Sequence, residues 1–184
     1  MRYVVGYDRD FATQYFRRSV LPLLALPPFK VIADVELNYL ASRFGEDVCV
    51  PLYNELARPP ERHAIELLLD IRKVRADRRL SQMAEGAANG LLFYQGLPAR
   101  GGLRKLRRLD MNRRQVAVLI KKLYNRAALA KFRTSDEKGL FHRLSEHIPE
   151  WLDLLSLIPG NDFVEVHESS TSLLFGVSPS TKIN

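Results

Sequence analysis

Histidine, carboxylate and hydroxyl side chains build most hydrolytic sites, and in this chain they gather in three places. His142, Glu146, His147 and Glu150 crowd one stretch, where helical spacing puts His142 and Glu146 on a common face. Such a pair can hold a metal, but a zinc-hydrolase helix carries HExxH and a third ligand, and neither is present. An exposed, charged helix start accounts for the cluster. Asp162, Glu165 and His167 sit near an expected strand in the manner of a nuclease carboxylate group, and a surface strand gives the same spacing by chance. Ser169, Ser170, Thr171 and Ser172 form a polar turn with no base partner at a defined spacing. No catalytic, metal-binding or cofactor-binding residue is nominated, no cofactor is implied, and the reading is of a non-enzymatic protein.

The stronger signal is cationic. The net charge of +7 is unevenly distributed: residues 1–99 carry 13 basic and 12 acidic side chains, residues 100–133 carry 12 and 1, and residues 134–184 carry 3 and 8. Like charges packed into one segment repel unless a polyanion or an acidic surface offsets them, and nucleic acid is the commonest such polyanion. Two plainer arrangements compete. Long Arg and Lys stems can coat a helix with their heads in water, or the acidic C-terminal block can fold back over the basic one.

Within the basic segment, Leu103, Leu106 and Leu109 recur every third residue with Arg104, Lys105, Arg107 and Arg108 between them, which predicts a short amphipathic helix. Asp110 is the expected N-cap of a second helix with the apolar stripe Val116, Leu119, Ile120, Leu123, Ala127 and Ala130. Arg114, Lys121 and Lys122 then project from its other side. Residues 128–133 and 140–144 read as two strands joined by a polar turn at 134–139, although one unbroken helix through Phe132 fits the same residues.

In this order of helix, turn, helix and hairpin, residues 103–147 resemble the winged helix-turn-helix family, about a quarter of the chain, without the usual turn glycine. The resemblance implies a recognition helix at 113–124 and a wing tip at 136–139. It further implies that Arg104, Lys105, Arg107 and Arg108 neutralise phosphates and that Asn112, Arg113, Arg114 and Gln115 reach base edges. Lys121, Lys122 and Arg126 take flanking backbone, or RNA.

The remaining elements must carry this segment. A strand is expected at 3–7, then a helix through Phe11, Ala12, Tyr15 and Phe16 that ends or bends before Pro22. A proline-punctuated connector at 21–29 leads to a helix carrying Ile32, Val35, Tyr39, Leu40 and Phe44, stopped by a left-handed Gly45. A short helix at 52–56 precedes a long amphipathic run from Pro59-Pro60, with apolar positions Ala64, Leu67, Leu68, Ile71, Val74, Leu80, Met83 and Ala84. Residues 86–102, with five glycines, read as a loop lacking any phosphate-cradling signature. Ile148, Trp151, Leu152, Leu154, Leu155 and Ile158 form an apolar helix whose Trp151 anchors either the core or a protein partner, and a closing β-hairpin follows.

The expected fold is therefore mostly α with short β elements: a single domain over 1–184 with a helical core at 1–99, the winged helix-turn-helix portion at 100–147, and an acidic helix plus hairpin at 148–184. The longest apolar stretch, 20–29, is broken by three prolines and is too short for a membrane span of roughly 20 residues. With no secretory leader pattern and a lone Cys49, a cytoplasmic or nucleoid-associated protein is expected. The leading function is nucleic-acid binding, with DNA favoured over RNA, as a regulator or as an accessory subunit of a nucleoprotein complex. The alternative is a scaffold subunit whose basic face docks an acidic protein, and a small metal-dependent nuclease comes third.

Overall fold

Ala12, Phe16 and Val20 recur every fourth residue and are fully buried, so the first helix, α1 (Arg9–Leu24), lays one apolar stripe against the rest of the chain. The computed structural model describes residues 9–45, 62–97 and 111–158; among them eight α-helices and one short 3-10 turn make up the regular structure, with no strand. The expected strand at 3–7, the helices at 52–56 and 103–109, the closing hairpin and Cys49 lie outside the described residues.

α1 does not end before Pro22. The proline sits exposed in the last turn, where its missing donor removes a single ladder bond. A relay of turns then carries the chain forward: the amides of Leu26, Phe29 and Ile32 each donate to the carbonyl three residues back, through the 3-10 turn Pro27–Phe29. α2 (Asp34–Arg43) buries Glu36, Leu37, Leu40 and Ala41. Gly45 serves close packing rather than a left-handed stop, since a β-carbon there would lie 2.7 Å from Thr13 Oγ1 and 2.8 Å from the Arg9 carbonyl.

The long amphipathic run is broken twice. α3 (Arg62–Leu69), α4 (Ile71–Ala76) and α5 (Arg78–Gly96) are separated by Asp70 and Asp77, each in extended conformation and each an N-cap. The Asp70 carboxylate accepts from the Arg72 amide at 3.0 Å, and that of Asp77 from the Arg79 amide at 2.8 Å. Each interruption shifts the phase of the stripe, which leaves Ile71 and Met83 exposed instead of in the core; Leu67, ahead of the first break, is exposed as well.

α5 runs straight through the glycines read as a loop. Ala84, Ala87, Ala88, Leu91 and Leu92 are strong helix formers, and Gly86 and Gly90 lie on the solvent side. Gly96 is different: a β-carbon there would come within 2.7 Å of Leu155, so its absence lets α5 meet the last helix closely.

α6 (Arg113–Ala128) buries Val116, Leu119, Ile120, Leu123, Tyr124 and Ala127, and packs most extensively against α5. Its N-cap is Asn112, not Asp110. The expected wing does not form: residues 129–133 are a turn, and 140–144 lie inside α7 (Ser135–Glu146). Thr134 and Glu137 close a capping box there, so the polar stretch read as a hairpin turn is a helix start. α8 (Ile148–Ser156) buries Ile148, Leu152, Leu154 and Leu155, and Trp151 is fully buried, which assigns its ring to the core. Phe16, Phe44 and Phe93 pack ring to ring at 5.0 to 5.7 Å and join α1, α2 and α5.

Candidate nucleic-acid interface

With its apolar stripe turned inward, α6 must present the opposite face to solvent, and Arg114, Val118, Lys121 and Lys122 occupy it. The three cations have no carboxylate partner among the described residues. The other predicted contacts are engaged elsewhere. Asn112 Oδ1 accepts from the Gln115 amide at 2.9 Å, and the Gln115 side chain accepts from the Asn112 amide at 2.8 Å, so both side chains serve the helix start. Arg113 pairs with Asp153 at 2.8 Å. Arg126 is half-buried and donates from Nε to the Leu69 carbonyl at 3.1 Å. Arg104, Lys105, Arg107 and Arg108 lie outside the described residues.

A second set of cations is masked when charge is summed over the first 99 residues. Arg72, Lys73, Arg75, Arg78 and Arg79 are all exposed, because the two aspartate caps end one short helix and begin the next with these residues on the outside. Lys73 has a loose contact with Asp70 at 3.7 Å, and the four arginines have no carboxylate partner among the described residues. The end of α4 reaches the turn after α6: the Lys131 amide donates to the Arg75 carbonyl at 3.4 Å, and the Arg78 guanidinium lies 5.9 Å from the Phe132 ring centre. The run Arg72-Lys73-Val74-Arg75 followed by Arg78-Arg79 is the sequence signal for this set.

Among the described residues, the acidic C-terminal block meets the basic segment at two points. Asp153 takes Arg113, and Glu137 takes Arg133 at 3.1 Å. Of the histidine cluster, His142 and Glu146 stand 3.4 Å apart and exposed, whereas His147 turns inward and is hydrogen-bonded through Nδ1 to the fully buried Glu36 at 3.0 Å. No group of three His, Cys, Asp or Glu side chains suited to a metal occurs among the described residues. Asp162, Glu165 and His167 lie outside them. No described helix is long and apolar enough to cross a membrane.

Beside the second cation set, a cleft of about 390 Å³ opens between α2, α5 and the turn into α7. Its floor is a buried polar network centred on Glu85. One carboxylate oxygen accepts from the Tyr39 hydroxyl at 2.8 Å and from Arg43 at 2.8 Å, and the other is paired with Arg133. Asn89 donates to Tyr39 Oη at 3.0 Å and accepts from the Tyr124 hydroxyl at 2.6 Å. Burial, reinforced by the Glu85 carboxylate, pushes the Tyr39 phenol far up, so it stays protonated and remains a donor. The Arg133 guanidinium stacks 4.7 Å above the Phe141 ring centre. The Thr134 amide donating to Glu137, helped by the Arg133 guanidinium, outweighs partial burial and holds the Glu137 carboxyl below the usual range.

Compared with known proteins, the chain matches no family model, no curated protein and no solved structure.

Proposed function

We propose that this is a non-enzymatic nucleic-acid-binding protein that acts as an accessory subunit of a nucleoprotein complex. The observation that carries the reading is the pairing of two exposed cation sets. Arg114, Lys121 and Lys122 line the outer face of α6, and in the exposed set Arg72, Arg75, Arg78 and Arg79 it is Arg75 and Arg78 that abut the turn following α6. Solvated cations without internal carboxylates are the groups that release counterions on meeting phosphate. Because Asn112 and Gln115 are engaged in capping and Arg113 in an ion pair, the helix start supports phosphate tracking better than base reading. This favours the accessory role over that of a sequence-specific regulator.

The test is anisotropy of labelled duplex and single-stranded oligonucleotides across a salt series. Wild-type affinity should fall log-linearly with salt. Two double variants, Lys121→Glu with Lys122→Glu and Arg72→Glu with Arg79→Glu, should each weaken binding and flatten the duplex slope by about 0.9 for every phosphate that is no longer neutralised. Thermal stability should hold, since all four side chains are exposed and acids near the starts of α4 and α5 suit the helix dipole. Absence of binding at low salt, or two variants indistinguishable from wild type, would overturn the proposal.

A further inference from the structure

Gly86 has no packing reason to be a glycine. A β-carbon there would meet nothing within 4 Å, and glycine in a helix interior is about 1 kcal/mol worse than alanine. What the missing side chain leaves is the open wall of the cleft. Arg78, Gln82 and Gly86 follow one another at helical i, i+4, i+8 spacing along that wall, the first two exposed and without a side-chain hydrogen bond or ion pair among the described residues. Across from them stands Phe132, 40% exposed, with the Arg78 and Arg133 guanidinium groups each 5.9 Å from its ring centre.

The electrostatic balance favours an anion. Three arginines and two glutamates line the cleft, and both glutamates are taken: Glu85 by Arg43 and Arg133, Glu137 by Arg133. Arg78 is left as a surplus charge at the mouth. Arg133 is nine-tenths buried, and its Nε has no hydrogen-bond partner among the described residues, a deficit that protein interiors rarely leave unmet. A volume near 390 Å³ lies in the range of small-molecule sites, roughly 300 to 1,000 Å³.

An exposed aromatic ring, a surplus arginine and an uncommitted amide are the parts needed for a ring, a phosphate and a ring edge. We infer that the cleft holds one unpaired nucleotide, its base against Phe132, its edge met by the Gln82 amide and its phosphate by Arg78. The inference rests on the proposed nucleic-acid binding for its strand-borne form. A base in a duplex is stacked and paired on both sides, so the site selects single-stranded or extruded nucleotides.

The discriminating variant is Gly86→Leu, which fills the cleft from a position with open space and a helix-favouring change, so folding is preserved. Phe132→Ala removes the ring from a half-exposed turn. Each is titrated with a short single-stranded oligonucleotide, the matching duplex, and free adenosine and uridine monophosphates. The expected result is that both variants lose about tenfold in single-strand affinity while duplex affinity is unchanged. Wild-type strand binding that neither variant alters overturns the nucleotide site and leaves the phosphate-tracking surface standing. Mononucleotide binding lost in Gly86→Leu, with no oligonucleotide binding by wild type, upholds the cleft as a free-nucleotide site and refutes the surface. Binding of neither probe refutes both.

Discussion

Replacing Glu85 by Gln keeps the shape of the cleft floor and removes only a charge. The side chain is 6% exposed, and it neutralises Arg133 at 9% and Arg43 at 34%. Arg43 can turn to water, so the loss concentrates on Arg133. Stripping one partner from a buried ion pair costs about 3 to 5 kcal/mol. Glu137 and the Phe141 ring still attend Arg133, and the new amide still accepts the Tyr39 hydroxyl, which puts the expected loss near the lower end, about 3 kcal/mol. In an Arg133→Met background the same change should cost only about 1 kcal/mol, because the orphaned charge is gone. The double-mutant cycle therefore predicts a coupling of about 2 kcal/mol, within the range for residues in one network. Urea unfolding at constant slope reads all four corners of the cycle. A single-variant loss below about 1 kcal/mol, or additive effects, would show that Arg133 does not depend on Glu85 and would refute the electrostatic account.

Further perturbations follow from local geometry. Gly86→Ala and Gly90→Ala should each raise stability by about 0.5 to 1 kcal/mol, whereas Gly96→Ala should lower it by about 1 to 3 kcal/mol through its contact with Leu155; thermal denaturation separates them by sign. Glu137→Gln should destabilise near neutral pH and progressively less in acid. A carboxyl held below its unfolded value contributes above that value and loses the contribution as pH falls through the folded one, so wild type and variant should converge at low pH. A gap that persists there would assign the effect to something other than ionisation.

The helical character of the chain and the inner face of α6 were legible because period and composition agreed over many residues, as at Val116, Leu119, Ile120 and Leu123. Part of what escaped depended on contacts distant in sequence. α5 continues through Gly86 and Gly90 because its alanines and leucines favour helix and α6 packs along it, and no local signal reports that packing. Residues 140–144 are short and apolar enough to read as strand; the decisive feature was the Thr134–Glu137 capping box just upstream. Among the site residues, exposure was predictable for Arg114, Lys121 and Lys122. The cleft was not, since Glu85, Arg43 and Arg133 are brought together from three separate elements.

The contact between Gly96 and Leu155 makes two distant positions one steric unit. During descent neither can drift alone: a methyl gained on α5 demands volume shed on α8, and a bulkier neighbour on α8 forbids any side chain at 96. Related sequences should therefore show these two columns changing in concert, an inherited trace of how tightly the last helix is seated.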